Sequence, residues 1–266
     1  ALGSDVDGPS VGMPVIIDPL IGWGGDPHVW SANASILGMP LEGTFAEYVV
    51  VPASNVHNKP AHLSYAQAAA MPLAGVTAYR ATFTRGALKA GETVLITGIG
   101  GGVQTFVLLY AKHIGARAIV TSSSDAKLAR AVELGADVAV NYARSKQWHK
   151  DVKASAGAPI DLVIDSAGGD AFAKAISIVR PGGRVVSYGG TSGDATIKLF
   201  PLFWNQLTIC GSSMGSPWDF QAMLELVSSG IVPVVDRVFP MSEAVAAFEY
   251  LDRAEQFGKV VLEITP

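Results

Sequence analysis

Four glycines, Gly98, Gly100, Gly101 and Gly102, stand together in the run Thr97-Gly-Ile-Gly-Gly-Gly-Val-Gln104. Backbone without side chains can approach a pyrophosphate closely. A helix that starts behind it adds unpaired N–H groups and the positive end of its dipole. The chemistry such a stretch supports is dinucleotide binding, and an ordinary glycine-rich turn is the alternative that context must decide against. The spacing is imperfect: Gly98 and Gly100 fit G-x-G-x-x-G, but the third position falls on Val103. Counted in steps of three from Gly98 and Gly101, it falls on Gln104. Either way the glycine that lets helix and strand pack closely is replaced, and the helix is expected to sit slightly further from the sheet.

A second group of polar residues follows at Thr121-Ser-Ser-Ser-Asp-Ala-Lys127. NAD sites place a carboxylate at this point for the ribose 2′-hydroxyl, whereas a 2′-phosphate calls for hydroxyls and a cation. Ser122, Ser123 and Lys127 therefore favour NADP over NAD, while Ser124 or Asp125 caps the helix that follows.

The elements around these residues supply the context. Val94 to Ile96 is a short apolar run suited to a strand buried on both faces, Val103 to Ile114 carries helical spacing, Gly115 stops it, and Ala118 to Val120 reads as a second strand. The alternation continues with helix 126–134, strand 138–140, helix 145–156, strand 162–165, helix 171–179, strand 184–188 and strand 207–211. Six apolar strands interleaved with helices indicate an α/β fold, the Rossmann doubly wound parallel sheet, with its ligand at the carboxyl ends of the strands. The loops there are 97–102, 122–127, 141–142, 166–169, 189–192 and 212–215. Before this block, residues 1 to 60 read as β-rich and without helices, with strands at 14–18 and 45–51 and a long ordered loop over 20–40. Ser64 caps a helix over 65–71, and a second helix spans 76–84. After it come helix 219–229, strand 234–239, helix 242–254 and strand 259–264.

Composition narrows the function classes. The 266 residues are 49% hydrophobic with a net charge of -4 and no basic run, which argues against nucleic acid and anionic membranes as partners. No apolar stretch reaches the length of a membrane span, and no signal peptide opens the chain, so a soluble, cytoplasmic protein is expected. The single cysteine, Cys210, excludes an internal disulfide and a multi-cysteine zinc cluster. His28, His57, His62, His113 and His149 are scattered and read as surface or capping residues.

Further motifs run the length of the chain: Ala1-Leu-Gly-Ser-Asp5, Gly43-Thr-Phe-Ala-Glu-Tyr-Val49, Leu73-Ala-Gly-Val-Thr-Ala-Tyr79, Glu133-Leu-Gly-Ala-Asp137, Asp165-Ser-Ala-Gly-Gly169 and Gly258-Lys-Val-Val-Leu262. With the glycine loop, and in this order, they resemble the medium-chain dehydrogenase/reductase superfamily. The resemblance implies two parts, a GroES-like β-barrel catalytic domain from residues 1–75 and 216–266 and a Rossmann domain from 76–215, with the active site in the cleft. It also implies that the barrel is incomplete, because strands the family carries before and after the Gly3-Ser-Asp5 motif are missing here. The zinc-bearing branch has Gly-His-Glu where this chain reads Gly3-Ser4-Asp5, and cysteine where it reads Leu73. Three ligands are the minimum for catalytic zinc, so no metal is expected.

The zinc-independent, quinone oxidoreductase-like branch is the closer resemblance. It implies hydride transfer from NADP(H) to a quinone, an α,β-unsaturated carbonyl, or an aldehyde or ketone. By resemblance, Thr77 lies near the nicotinamide and is the nearest candidate for a catalytic residue, no proton donor declaring itself. Gly101, Gly102 and Val103 lie near the pyrophosphate, Ser122 and Lys127 near the 2′-phosphate, and Tyr142 beside the adenosine. Ser166, Ala167, Gly168, Tyr188, Gly189, Gly190, Ser212 and Met214 edge the nicotinamide ribose and ring, and Lys259 reaches back to the cofactor. A zinc-type alcohol dehydrogenase and a non-catalytic NADPH-binding protein remain as alternatives. An apolar final strand at the sheet edge points to a homodimer.

Overall fold

The computed structural model describes residues 1–4, 6 and 8–264. Asp5, in the opening motif, lies outside the described residues. The chain divides into two compact units, one formed by 1–76 with 214–266 and the other by 77–213.

The first unit opens with short strands: β1 (Val15–Ile17), β2 (Leu20–Ile21), β3 (Ser35–Leu37), β4 (Pro40–Leu41) and β5 (Val56–Asn58). Residues 20–40 are thus not one long loop, because β2, β3 and β4 join in a small sheet over a core of Leu20, Trp23 and Met214. No strand forms over 45–51. The alternation there finds no partner strand, and Tyr48 and Val50 stand 87% and 97% exposed. Helix α1 (Tyr65–Ala70) starts on a capping box, in which Ser64 Oγ accepts from Gln67 N and Gln67 Oε1 accepts from Ser64 N. Next, α2 (Pro72–Tyr79) ends in a wider π turn over 80–85, so the stretch for which the sequence predicts one helix, 76–84, changes its winding part-way.

In the second unit follow β6 (Thr93–Ile96), α3 (Gly102–His113), β7 (Arg117–Ser122), α4 (Asp125–Glu133), β8 (Val138–Asn141), α5 (Trp148–Ser155), β9 (Ile160–Asp165), α6 (Gly169–Ile176), β10 (Val179–Ser187), α7 (Leu199–Trp204) and β11 (Thr208–Gly211). The sheet order is β11-β10-β9-β6-β7-β8, every pair parallel. This is the Rossmann-like α/β arrangement, and its order reverses between β6 and β9. Central strands packed by helices on both faces need apolar side chains throughout, and Val94, Leu95, Ile96, Leu162, Val163 and Ile164 have no exposed surface. Arg184 fastens the amino ends of the strands: its guanidinium grips Glu92 through two nitrogens, at 3.1 and 2.5 Å, and Nε donates to Gly86 O. Helix α7 went unread in the sequence. It is a six-residue piece whose large apolar side chains lack helical patterning.

The chain then returns to the first unit with α8 (Pro217–Ser228), β12 (Val235–Pro240), α9 (Ala244–Asp252) and β13 (Lys259–Glu263), the two strands pairing in parallel. Among the described residues, no helix is long and apolar enough to cross a membrane.

Candidate cofactor site

The strands leave their carboxyl ends at three neighbouring loops of the second unit. The first follows β6. Gly98 and Gly100 take φ of +69° and +133°, values that favour glycine. The turn is fastened to β7, since Gly98 N donates to Thr121 Oγ1 at 3.2 Å and Ile99 N to Thr121 O at 2.7 Å. Gly101 is the residue before α3 and has no side chain to cap it, so the first N–H groups of the helix are open to an anionic ligand. A Cβ at Gly100 would stand 2.7 Å from Lys127 Cδ and 3.2 Å from its Nζ. The lysine of the second polar group is thus folded over the glycine turn.

Around the end of β7, buried Ser122 accepts a bond from Ser124 N, and Ser124 caps α4 through Lys127 N. Asp125 is occupied on both oxygens: Asn141 Nδ2 donates to Oδ1 at 2.8 Å and Arg144 to Oδ2 at 2.6 Å. The Asn141 and Arg144 hydrogen bonds hold its carboxyl below the usual range. Asn141 also donates to Ser123 O. Tyr142 is exposed, with its N bonded to Ser122 O.

The third loop follows β9. Thr97 Oγ1, at the end of β6, donates to Oδ1 of the fully buried Asp165 at 2.5 Å, and Gly168 N donates to Oδ2 at 2.9 Å. Gly168 has φ +72°, and a Cβ on it would stand 2.6 Å from Gly193 O. A Cβ on Gly189 would stand 2.9 Å from Ser166 O. Tyr188 lies on this side, and burial pushes its phenol up. Ser212 N bonds to Ser187 O at the next strand end.

The second unit therefore brings together Gly98, Gly100, Gly101, Gly102 and Val103, Ser122, Ser123 and Lys127, Tyr142, and Ser166 to Gly168 with Tyr188 to Gly190 and Ser212. Thr77 is buried at the start of this unit. Met214 and Lys259 belong to the first unit, where Met214 packs with Leu20 and Lys259 opens β13. Thr97, Gln104 and Asp165, which the sequence shows only as members of motifs and loops, and Arg144, which it does not single out, also hold these loops in place. A buried acid at the end of a central strand could have been noticed. Arg144 had no signal, because only the turn after β8 brings it to Asp125.

The bare turn, the open helix start and the two lines of small residues fit a dinucleotide. A zinc ion finds less. Leu73 has no donor atom, and among the described residues no three His, Cys, Asp or Glu side chains converge.

The profile of the zinc-binding dehydrogenase family matches residues 102–229. The chain is 37% identical over 270 residues to the zinc-type alcohol dehydrogenase-like protein YogA of Leptosphaeria maculans, covering 96% of this chain and 75% of that protein. The chain is a medium-chain dehydrogenase/reductase. This oxidoreductase superposes on the crystal structure of an NAD-dependent alcohol dehydrogenase with a TM-score of 0.91 at 35% identity, over 100% of its own length and 80% of the other's. A 2-octenoyl-CoA carboxylase reductase, CinF, solved with NADP and 2-octenoyl-CoA, matches this dehydrogenase/reductase at a TM-score of 0.82 and 31% identity, over 88% of its length and 57% of CinF's.

Proposed function

We propose that this chain is an NADPH-dependent reductase of quinones, α,β-unsaturated carbonyls or aldehydes and ketones, working without catalytic zinc. The observation that carries the reading is the end of β7. An NAD site needs a free carboxylate there, and this chain offers serines, with the one nearby acid, Asp125, already held on both oxygens by Asn141 and Arg144. Lys127 and Arg144 supply the cations that a phosphate-bearing cofactor requires. The NADP found with CinF supports the same choice, although the NAD-dependent neighbour shows that the fold accommodates both.

When bound, NADPH would supply the hydride. The chain's own residues bind and orient it: the first N–H groups of α3 face the pyrophosphate, Ser122, Ser123 and Lys127 face the 2′-phosphate with Arg144, and the loops after β9 and β10 take the other half. Thr77, at the start of the second unit, belongs to the proposed cofactor set. Leu73, in place of a sulfur ligand, favours a zinc-independent course. We place the substrate in a GroES-like catalytic domain built from the first unit.

The reading extends to a homodimer. Strand β11 pairs with β10 on one side only, and Leu199, Phe200, Phe203 and Trp204 of α7 are each more than 60% exposed. A second copy related by a two-fold axis would cover both.

Fluorescence titration with NADPH and NADH tests the cofactor, and loss of absorbance at 340 nm with a panel of quinones, enones and aldehydes tests the reaction. NADPH should bind more tightly than NADH and be consumed with at least one acceptor class. Tighter NADH binding, or activity that disappears with a zinc chelator, would overturn the proposal.

A further inference from the structure

Counted in steps of three from Gly98 and Gly101, the glycine fingerprint puts its third position on Gln104, three residues into α3. Its side chain is buried, and it does not point along the helix into solvent. Oε1 is turned back over Gly101, close enough that a Cβ there would collide with it, and Nε2 donates to Ser166 Oγ at 2.8 Å. One carboxamide thus bridges the turn after β6 and the loop after β9, on either side of the place where the strand order reverses.

The geometry of the sheet says which part of a ligand this bridge governs. The α3 start takes the pyrophosphate and the β7 side takes the 2′-phosphorylated adenosine, so the β9 and β10 side is left for the nicotinamide half. We propose that Gln104 is a positioning residue for that half: by holding Ser166 against the amino end of α3 it fixes the distance between the pyrophosphate turn and the nicotinamide loop. The inference rests on the dinucleotide reading above. A glycine there would permit close packing but could not tie the two loops. The glutamine replaces freedom of approach with a hydrogen bond.

The test compares two ligands on the full chain, NADPH and 2′,5′-ADP, the latter carrying only the adenosine half. Gln104→Met keeps the volume and removes the hydrogen bond, Ser166→Ala removes the acceptor, and the double variant closes the cycle. Gln104→Met should weaken NADPH about tenfold, leave 2′,5′-ADP within about twofold, and lower kcat for any acceptor the wild type reduces. The double variant should be no worse than Ser166→Ala alone. Equal weakening of both ligands would mean general damage to the turn and would overturn the inference, as would wild-type NADPH binding by Gln104→Met. A wild-type chain that binds neither compound removes the parent reading and this one with it. That result is distinct from a wild type that binds and a variant that matches it.

Discussion

Thr97 Oγ1 and Asp165 Oδ1 stand 2.5 Å apart, with the carboxylate fully buried between the ends of β6 and β9. The bond joins the two strands at which the sheet reverses its order, and Gly168 N takes the other carboxylate oxygen. Thr97→Val keeps the shape and leaves a buried carboxyl oxygen short of a donor. The expected cost is roughly 1.5–3 kcal/mol, read as a lower denaturant midpoint for the second unit, and Thr97→Ser should restore most of it.

Arg144 is held by Asp125 beside the serines that end β7, yet both side chains are well exposed. Its contribution to a 2′-phosphate is therefore screened by salt. Arg144→Ala is expected to raise the Kd for NADPH by about three- to tenfold in dilute buffer. NADH binding should not change, and the difference should shrink as salt is added. Titrations at two ionic strengths check both points.

Asp18, 2% exposed at the end of β1, has its carboxyl raised by burial from 3.8 to about 6, against the opposing bond from Leu20 N. A raised acid favours the folded state when protonated. Its stabilising share is present in full below the ordinary value and is lost as pH rises through about 6. Asp18→Asn should therefore stabilise the first unit at neutral pH by on the order of 2–3 kcal/mol and give no gain near pH 4. Denaturant melts of both proteins across that window measure the difference. A wild type more stable than the variant at pH 7 would contradict the assignment.

Phe200 stacks on Trp204 at 5.6 Å and meets Phe203 edge-on at 5.2 Å, in a helix with no buried residue. Phe200→Ser with Trp204→Ser should convert a dimer to a monomer without lowering NADPH affinity, as read by light scattering and titration. A wild-type monomer at micromolar concentration ends the dimer idea.

Much of the second unit was legible in the sequence for one physical reason: a strand buried on both faces must be apolar throughout, so Val94 to Ile96 and Leu162 to Ile164 declare themselves. Glycines at positive φ mark their own turn. The first unit was harder. Its strands are two or three residues long, β2 to β4 fall in a stretch that reads as loop, and 45–51 alternates without a partner. Within the site, Ser122 and Lys127 could be named but not aimed. That Lys127 lies over Gly100, that Asp125 is taken by Asn141 and Arg144, and that Gln104 reaches Ser166 are all contacts across strands, which no local pattern encodes.

The loops after β9 and β10 are zipped along their length. Tyr188 N bonds to Asp165 O, Thr191 N to Ser166 O, Ser192 N to Ala167 O and Gly169 N to Gly193 O, while Gly168 nests against Gly190 and Gly193. Neither segment can lift without breaking the other's amide bonds, so deuterium should enter both at a single shared rate, and a bound coenzyme should slow the pair together as one cooperative flap.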